Sequence, residues 1–172
     1  TTFEYSDLHM EVHEENRENP VTVFFQITNT GKVDGAEVAQ IYVGAKEPSV
    51  YRPAKELKGF VKVFLKAGES RKVAVPLDDK AFRHFHVKTN RFEIDGGKYE
   101  IMAGASAADI RLSGTVVIVG TKAPVSCGME KLPDYAKGEI LSVPDPEWKE
   151  LLGHEIPDGK WSGTLEANDA IC

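Results

Sequence analysis

From residue 1 to about 120 the chain keeps repeating one pattern: short runs that alternate apolar and polar residues, each closed by Gly, Pro, Asn or Asp. Side chains that return to the same face at every second residue belong to a strand; a helix repeats its apolar face at three and four. The clearest run is Val21-Thr22-Val23-Phe24-Phe25-Gln26-Ile27, where Val21, Val23, Phe25 and Ile27 share a face and β-branched and aromatic residues dominate. Residues 70–77 do the same, setting Arg71, Val73, Val75 and Leu77 against Lys72, Ala74 and Pro76. Further strands are predicted over 1–10, with Phe3, Tyr5 and Leu8 inward, and over 36–43, 57–65, 85–87, 91–94, 98–103 and 110–119. Asn29-Thr30-Gly31-Lys32 supplies turn residues that accept positive φ, and Lys66-Ala67-Gly68-Glu69 and Asp95-Gly96-Gly97 punctuate later runs. Asp78 is expected to cap one helical turn ending near Phe82. Short strands at turn-limited spacing with almost no helix predict an all-β Greek-key sandwich.

The pattern stops near Gly120, and the charge changes there too. Residues 121–172 carry five Lys and ten Asp or Glu, net −5, which leaves −1 for the first 120. The chain is therefore read as a sandwich over 1–120 and an acidic, mostly irregular tail over 121–172. One short helix is predicted near 145–152, with Asp145 as N-cap, Pro146 at the first helical position and Gly153 as the stop. Trp148, Leu151 and Leu152 give that helix an apolar side suited to one docking contact, and Trp161 is expected to pack. Cys127 and Cys172 both fall in the tail and are expected as free thiols, because the sandwich needs no covalent tie. The overall charge of −6 argues against nucleic acid, and no apolar run approaches the roughly 20 residues of a membrane span. With no initiator Met, the chain is expected to begin inside a longer polypeptide.

Few constellations point to chemistry. His84 and His86 stand at i,i+2 on one strand face, where two imidazoles begin a metal site, but no third ligand stands at a recognisable spacing. They read as surface or edge-strand histidines, and neither metal nor cofactor is expected. Tyr51, Trp148 and Trp161 are the aromatics suited to stacking on a sugar ring, yet they form no row, and packing is the favoured role. Residues 44–55 make an aperiodic connection with Pro48 and Pro53, of a length that is often functional in a compact domain.

Directly after it, Arg52-Pro53-Ala54-Lys55-Glu56-Leu57-Lys58-Gly59-Phe60 leads into a strand; Gly97-Lys98-Tyr99-Glu100-Ile101 and Gly104-Ala105-Ser106 follow further on. In combination these segments resemble the fibronectin-III-like domain of family-3 glycoside hydrolases, which include the β-glucosidases. The tail carries a weaker resemblance over about 145–169. The resemblance implies a fibronectin-III/immunoglobulin-like β-sandwich that accompanies catalytic domains without holding their carboxylates. Retaining hydrolysis sets two carboxyl groups about 5 Å apart; in the family an Asp nucleophile lies in a barrel and a Glu acid/base in an α/β domain. Neither motif is present here, so the segment alone is not expected to be an enzyme, whereas its parent is. The expected partners are the barrel and α/β domains of the same chain. Tyr51, Arg52, Pro53, Glu56, Leu57 and Phe60 are the expected docking residues, with Gly59 allowing close backbone approach. The alternative is a stand-alone carbohydrate-binding or adhesion sandwich.

Overall fold

Along β2 (Val21–Asn29) the alternation becomes structure residue by residue: every odd-numbered position is buried and every even one half-buried. The computed structural model describes residues 1–13, 15–16, 20–124, 128–139 and 141–159. β2 lies between β1 (Phe3–Val12) and β5 (Ser70–Leu77) in an antiparallel sheet of order β1-β2-β5. β3 (Gly35–Ala45), β4 (Glu56–Leu65), β8 (Gly97–Ser106) and β9 (Asp109–Ile118) form a second antiparallel sheet of order β4-β3-β8-β9. The chain changes sheet between β2 and β3 and again between β4 and β5, so two inner faces meet as a sandwich. β6 (Arg83–His86) and β7 (Arg91–Ile94) form a separate hairpin.

The core joins Val21, Val23, Phe25 and Ile27 to Ala39, Ile41, Val43, Leu65, Tyr99 and Ile101 across the sandwich. Each fully buried aliphatic or aromatic side chain contributes about 1.5–3 kcal/mol relative to exposure. The two faces left open for β3 resolve in favour of Ala39, Ile41 and Val43 inward.

One local reading gains its explanation and two change. Tyr5 and Leu8 are an odd number apart, which a flat strand would place on opposite faces. A β-bulge between Ser6 and His9, with Asp7 at φ 56°, resets the register so that Leu8 and Met10 also pack on the core. The turn after β2 does not use positive φ at Asn29 or Gly31. Instead the buried Asn29 side chain donates to the carbonyls of Val33 (2.9 Å) and Leu65 (3.1 Å) and accepts the Gly31 N–H (3.0 Å). Asp78 precedes a 3-10 turn at Asp79–Ala81 but makes no side-chain capping bond; Asp79 instead pairs with Arg83 at 3.3 Å.

The chain divides into two compact units, Thr1–Ser126 and Cys127–Cys172. In the second, α1 (Pro133–Lys137) and α2 (Asp145–Leu152) are helical. α2 starts one residue earlier than expected, so Pro144 holds the cap position and Asp145 the first turn, while Gly153 at φ 73° ends it. Buried Glu147 of α2 accepts the backbone N–H groups of Asp134 (3.2 Å) and Tyr135 (3.1 Å), filling the N-terminal amides of α1 that no helix satisfies internally. Cys127, Trp161 and Cys172 lie outside the described residues.

Candidate functional site

Antiparallel pairing brings the connection 46–55, the β6–β7 hairpin and residues 119–124 to the same end of the sandwich. Ser49 clips the first to the second: its N–H donates to Asp95 Oδ2 (3.0 Å) and its hydroxyl to Oδ1 (2.7 Å). Thr121 clips the third, its backbone N–H donating to the Ile94 carbonyl (2.9 Å) and its hydroxyl accepting the Ile94 N–H (3.0 Å).

Arg52 faces inward here, with only 8% of its side chain exposed. One guanidinium nitrogen donates to the Phe82 carbonyl (3.0 Å), and the other to Glu56 Oε2 (3.0 Å). Glu56 Oε1 accepts from Lys58 at 3.1 Å. Burial pushes the Glu56 carboxyl up, but the hydrogen bonds from Lys58 and Arg52 outweigh it and hold the group below its usual range. Arg52 and Glu56 thus brace their own sandwich, a role that their i,i+4 spacing in a non-helical segment does not reveal.

From Arg52 the chain turns over the outer face of the four-stranded sheet. Ala54 crosses against Gly44, where a Cβ would fall 2.2 Å from the Ala54 carbonyl oxygen, and Lys55 donates to the Ala107 carbonyl in the β8–β9 turn. Gly59 serves the opposite face: a Cβ there would stand 3.0 Å from Val75 and 3.2 Å from Leu77, so β4 sits tight against β5.

Beside exposed Lys62 and Lys98, that outer face also opens an apolar patch. Val38, Leu57, Phe60 and Phe64 project outward from β3 and β4, with Phe60 69% exposed. The outer face of the other sheet presents Thr22, Gln26, Thr28, Ser70 and Lys72, with Phe24 half-buried among them. A solvated sheet face alternates polar residues outward, as this second face does. Exposed aromatics at Phe60 and Phe64 depart from that rule. Tyr51 (50% exposed) and Pro53 also lie on the surface; of the six expected docking residues, Tyr51, Pro53, Leu57 and Phe60 face outward. Val38 and Phe64 complete the patch. Phe64 stands four residues from Phe60 on β4, so period-2 counting could have found it, whereas Val38 follows only from the β3–β4 register.

The histidine reading needs correction. Neither His84 nor His86 is a surface residue: 9% of the His84 side chain is exposed, and His86 is 3% exposed. They point together into the interior of the loop end because the outer side of the hairpin is taken by Phe85 and Phe92, packed edge-to-face at 5.6 Å, with Arg83 over the Phe92 ring at 4.6 Å. His86 is satisfied, with Nε2 2.7 Å from the Pro124 carbonyl and Nδ1 accepting the Thr89 N–H at 3.3 Å. Among the described residues no three His, Cys, Asp or Glu side chains converge as a metal site. In the tail Trp148 and Leu151 are half-buried and Leu152 is exposed; the Trp148 ring meets Tyr135 edge-on at 6.4 Å.

Residues 37–107 match the family model of the fibronectin type III-like domain. The chain is similar to the exo-alpha-(1->6)-L-arabinopyranosidase of Bifidobacterium breve, 45% identical over 102 residues covering 59% of this chain and 14% of that protein. It is also similar to thermostable beta-glucosidase B of Acetivibrio thermocellus, 37% identical over 121 residues, or 70% of this chain and 16% of that one. The crystal structure of a Bifidobacterium adolescentis GH3 beta-glucosidase superposes with a TM-score of 0.66 at 31% identity, covering 87% of this chain and 20% of that one. The chain therefore spans about a seventh of the length of the curated relatives it matches. With its three-plus-four-stranded sandwich, the chain carries a fibronectin type III-like domain, and over that domain it is similar to a GH3 beta-glucosidase.

Proposed function

We propose that this chain is a non-catalytic support domain of a family-3 glycoside hydrolase of β-glucosidase type, docking on and stabilising the catalytic barrel and α/β domains of its parent. The observation that carries the reading is the contrast between the two outer faces: one polar, the other opened by Val38, Leu57, Phe60 and Phe64. Tyr51 and Pro53 extend the same surface, and Trp148, Leu151 and Leu152 supply a second contact from the tail. Arg52 and Glu56 act indirectly, by fixing the segment that presents Tyr51 and Leu57. Docking of this kind holds a neighbouring domain in its working geometry, and preorganisation raises activity without contact with the reacting atoms.

The test is Phe60→Asp, made both in the 172-residue chain and in the parent enzyme. A charge on an exposed side chain leaves the isolated chain within about 0.5 kcal/mol of wild type. In the parent it buries an unpaired carboxylate at the interface, so thermal stability and glycoside turnover both fall. A parent variant with wild-type melting temperature and activity would sink the docking role.

A further inference from the structure

His84 lies buried in β6 with neither ring nitrogen hydrogen-bonded, the only buried side-chain polar atoms among the described residues left in that state. Buried polar atoms are nearly always paired, so an orphaned imidazole calls for a specific account. Its surroundings supply one. Nδ1 stands 3.7 Å from Asp95 Oδ2, beyond hydrogen-bond reach, while both Asp95 oxygens are held by Ser49 of the 46–55 connection. Glu93 is the cross-strand partner of His84 on β7, His86 stands beside it on β6 with ring centroids 6.1 Å apart, and the buried Arg52 guanidinium comes from the connection itself.

We propose that His84, Asp95 and Ser49 form an acid-released latch that holds residues 46–55 onto the β6–β7 hairpin at neutral pH. With His84 neutral, the Asp95 carboxylate is occupied by Ser49, the Glu93 carboxylate is held by Arg91, and the imidazole makes no demand on either. Protonation adds a cation with no water to solvate it, next to the cationic Arg52 and in contact with His86. Asp95 and Glu93 favour that cation, but burial opposes it more strongly, and the net effect lowers the His84 pKa below its ordinary value. A proton that binds more tightly to the hydrated, open arrangement must favour that arrangement as pH falls. Below about pH 6.5 the open fraction therefore rises by up to about tenfold per pH unit, until the closed form also titrates. Tyr51 rides on the released segment, so the latch would carry acidity to the docking surface; that consequence alone rests on the docking role proposed above.

Amide hydrogen exchange in the 172-residue chain tests the latch whether or not docking holds. Corrected for intrinsic exchange, protection of the Ser49 N–H should fall at least about threefold between pH 7.0 and 5.5. In His84→Phe, which fills the same space without ring nitrogens, protection should not change over that range. Constant wild-type protection, or an equal fall in the variant, overturns the proposal. Should the variant fail to fold, the wild-type imidazole resonances decide the matter: the latch requires His84 to titrate below the ordinary histidine value of about 6.5, and titration at or above it refutes the latch.

Discussion

Arg52→Met keeps the aliphatic stem of the side chain and deletes its guanidinium, which separates bracing from docking at the residue where the two readings compete. In the structure the change breaks the bond to the Phe82 carbonyl and the pair with Glu56. A hydrogen bond to a charged group in a buried setting is worth about 1.5–3 kcal/mol. The ion pair adds less, about 0.5 kcal/mol, because the Glu56 side chain is 30% exposed and keeps Lys58 as a partner. The expected loss is thus about 2–3.5 kcal/mol, or a melting temperature lower by roughly 8–14 °C for a sandwich of this size. Far-UV circular dichroism of the 172-residue chain at pH 7, by heat and by urea, measures it. Glu56→Gln should cost under about 1 kcal/mol in the same assay, since Arg52 then still holds Phe82. Equal stabilities of Arg52→Met and wild type, within about 0.5 kcal/mol, would refute the brace and return Arg52 to the docking surface.

Two further perturbations probe the packing and the hairpin. Gly59→Ala should cost about 1–3 kcal/mol in urea unfolding, because the added methyl meets Val75 at 3.0 Å and Leu77 at 3.2 Å and both side chains must shift to admit it. Hydrogen bonds from Thr121 and Arg91 hold the Glu93 carboxyl at about 2, against 4.5 for the free group. A carboxyl depressed on folding contributes stability that is fully present above pH 4.5 and is lost as pH falls through about 2. Glu93→Gln should therefore flatten the acid limb of the unfolding curve in that window, and an unchanged limb would contradict the assignment.

The sandwich was legible because two-residue periodicity survives in β2, where buried and half-buried positions alternate throughout, and in β5 from Val73 to Leu77, Arg71 being exposed at the strand's start. The bulge in β1 was half visible: Tyr5 and Leu8 break parity, but only the register shows that Asp7 absorbs the break. Of the six residues expected to dock, Tyr51, Pro53, Leu57 and Phe60 are exposed, whereas Arg52 turns inward. Charge at Arg52 and Glu56 suggested an outside partner, but Arg52 donates to a backbone carbonyl 30 positions away, which no local spacing encodes, and to Glu56 itself. The histidines were misplaced for a related reason. An i,i+2 pair fixes a shared face but not which face is buried, and here the Phe85–Phe92 pair claimed the other side. In the tail, α1 has only five residues, too short for a periodic signal, and its N-terminal amides are satisfied by Glu147 from a different helix.

The account depends most on where Phe60 is buried. Hydroxyl-radical footprinting of the parent enzyme beside the 172-residue chain reads side-chain exposure directly, with Phe24 on the opposite outer face as internal reference. Docking predicts that Leu57, Phe60 and Phe64 are modified several-fold more slowly in the parent while Phe24 reacts alike in both. Equal rates at Phe60 in the two would leave the apolar face uncovered and contradict the central claim.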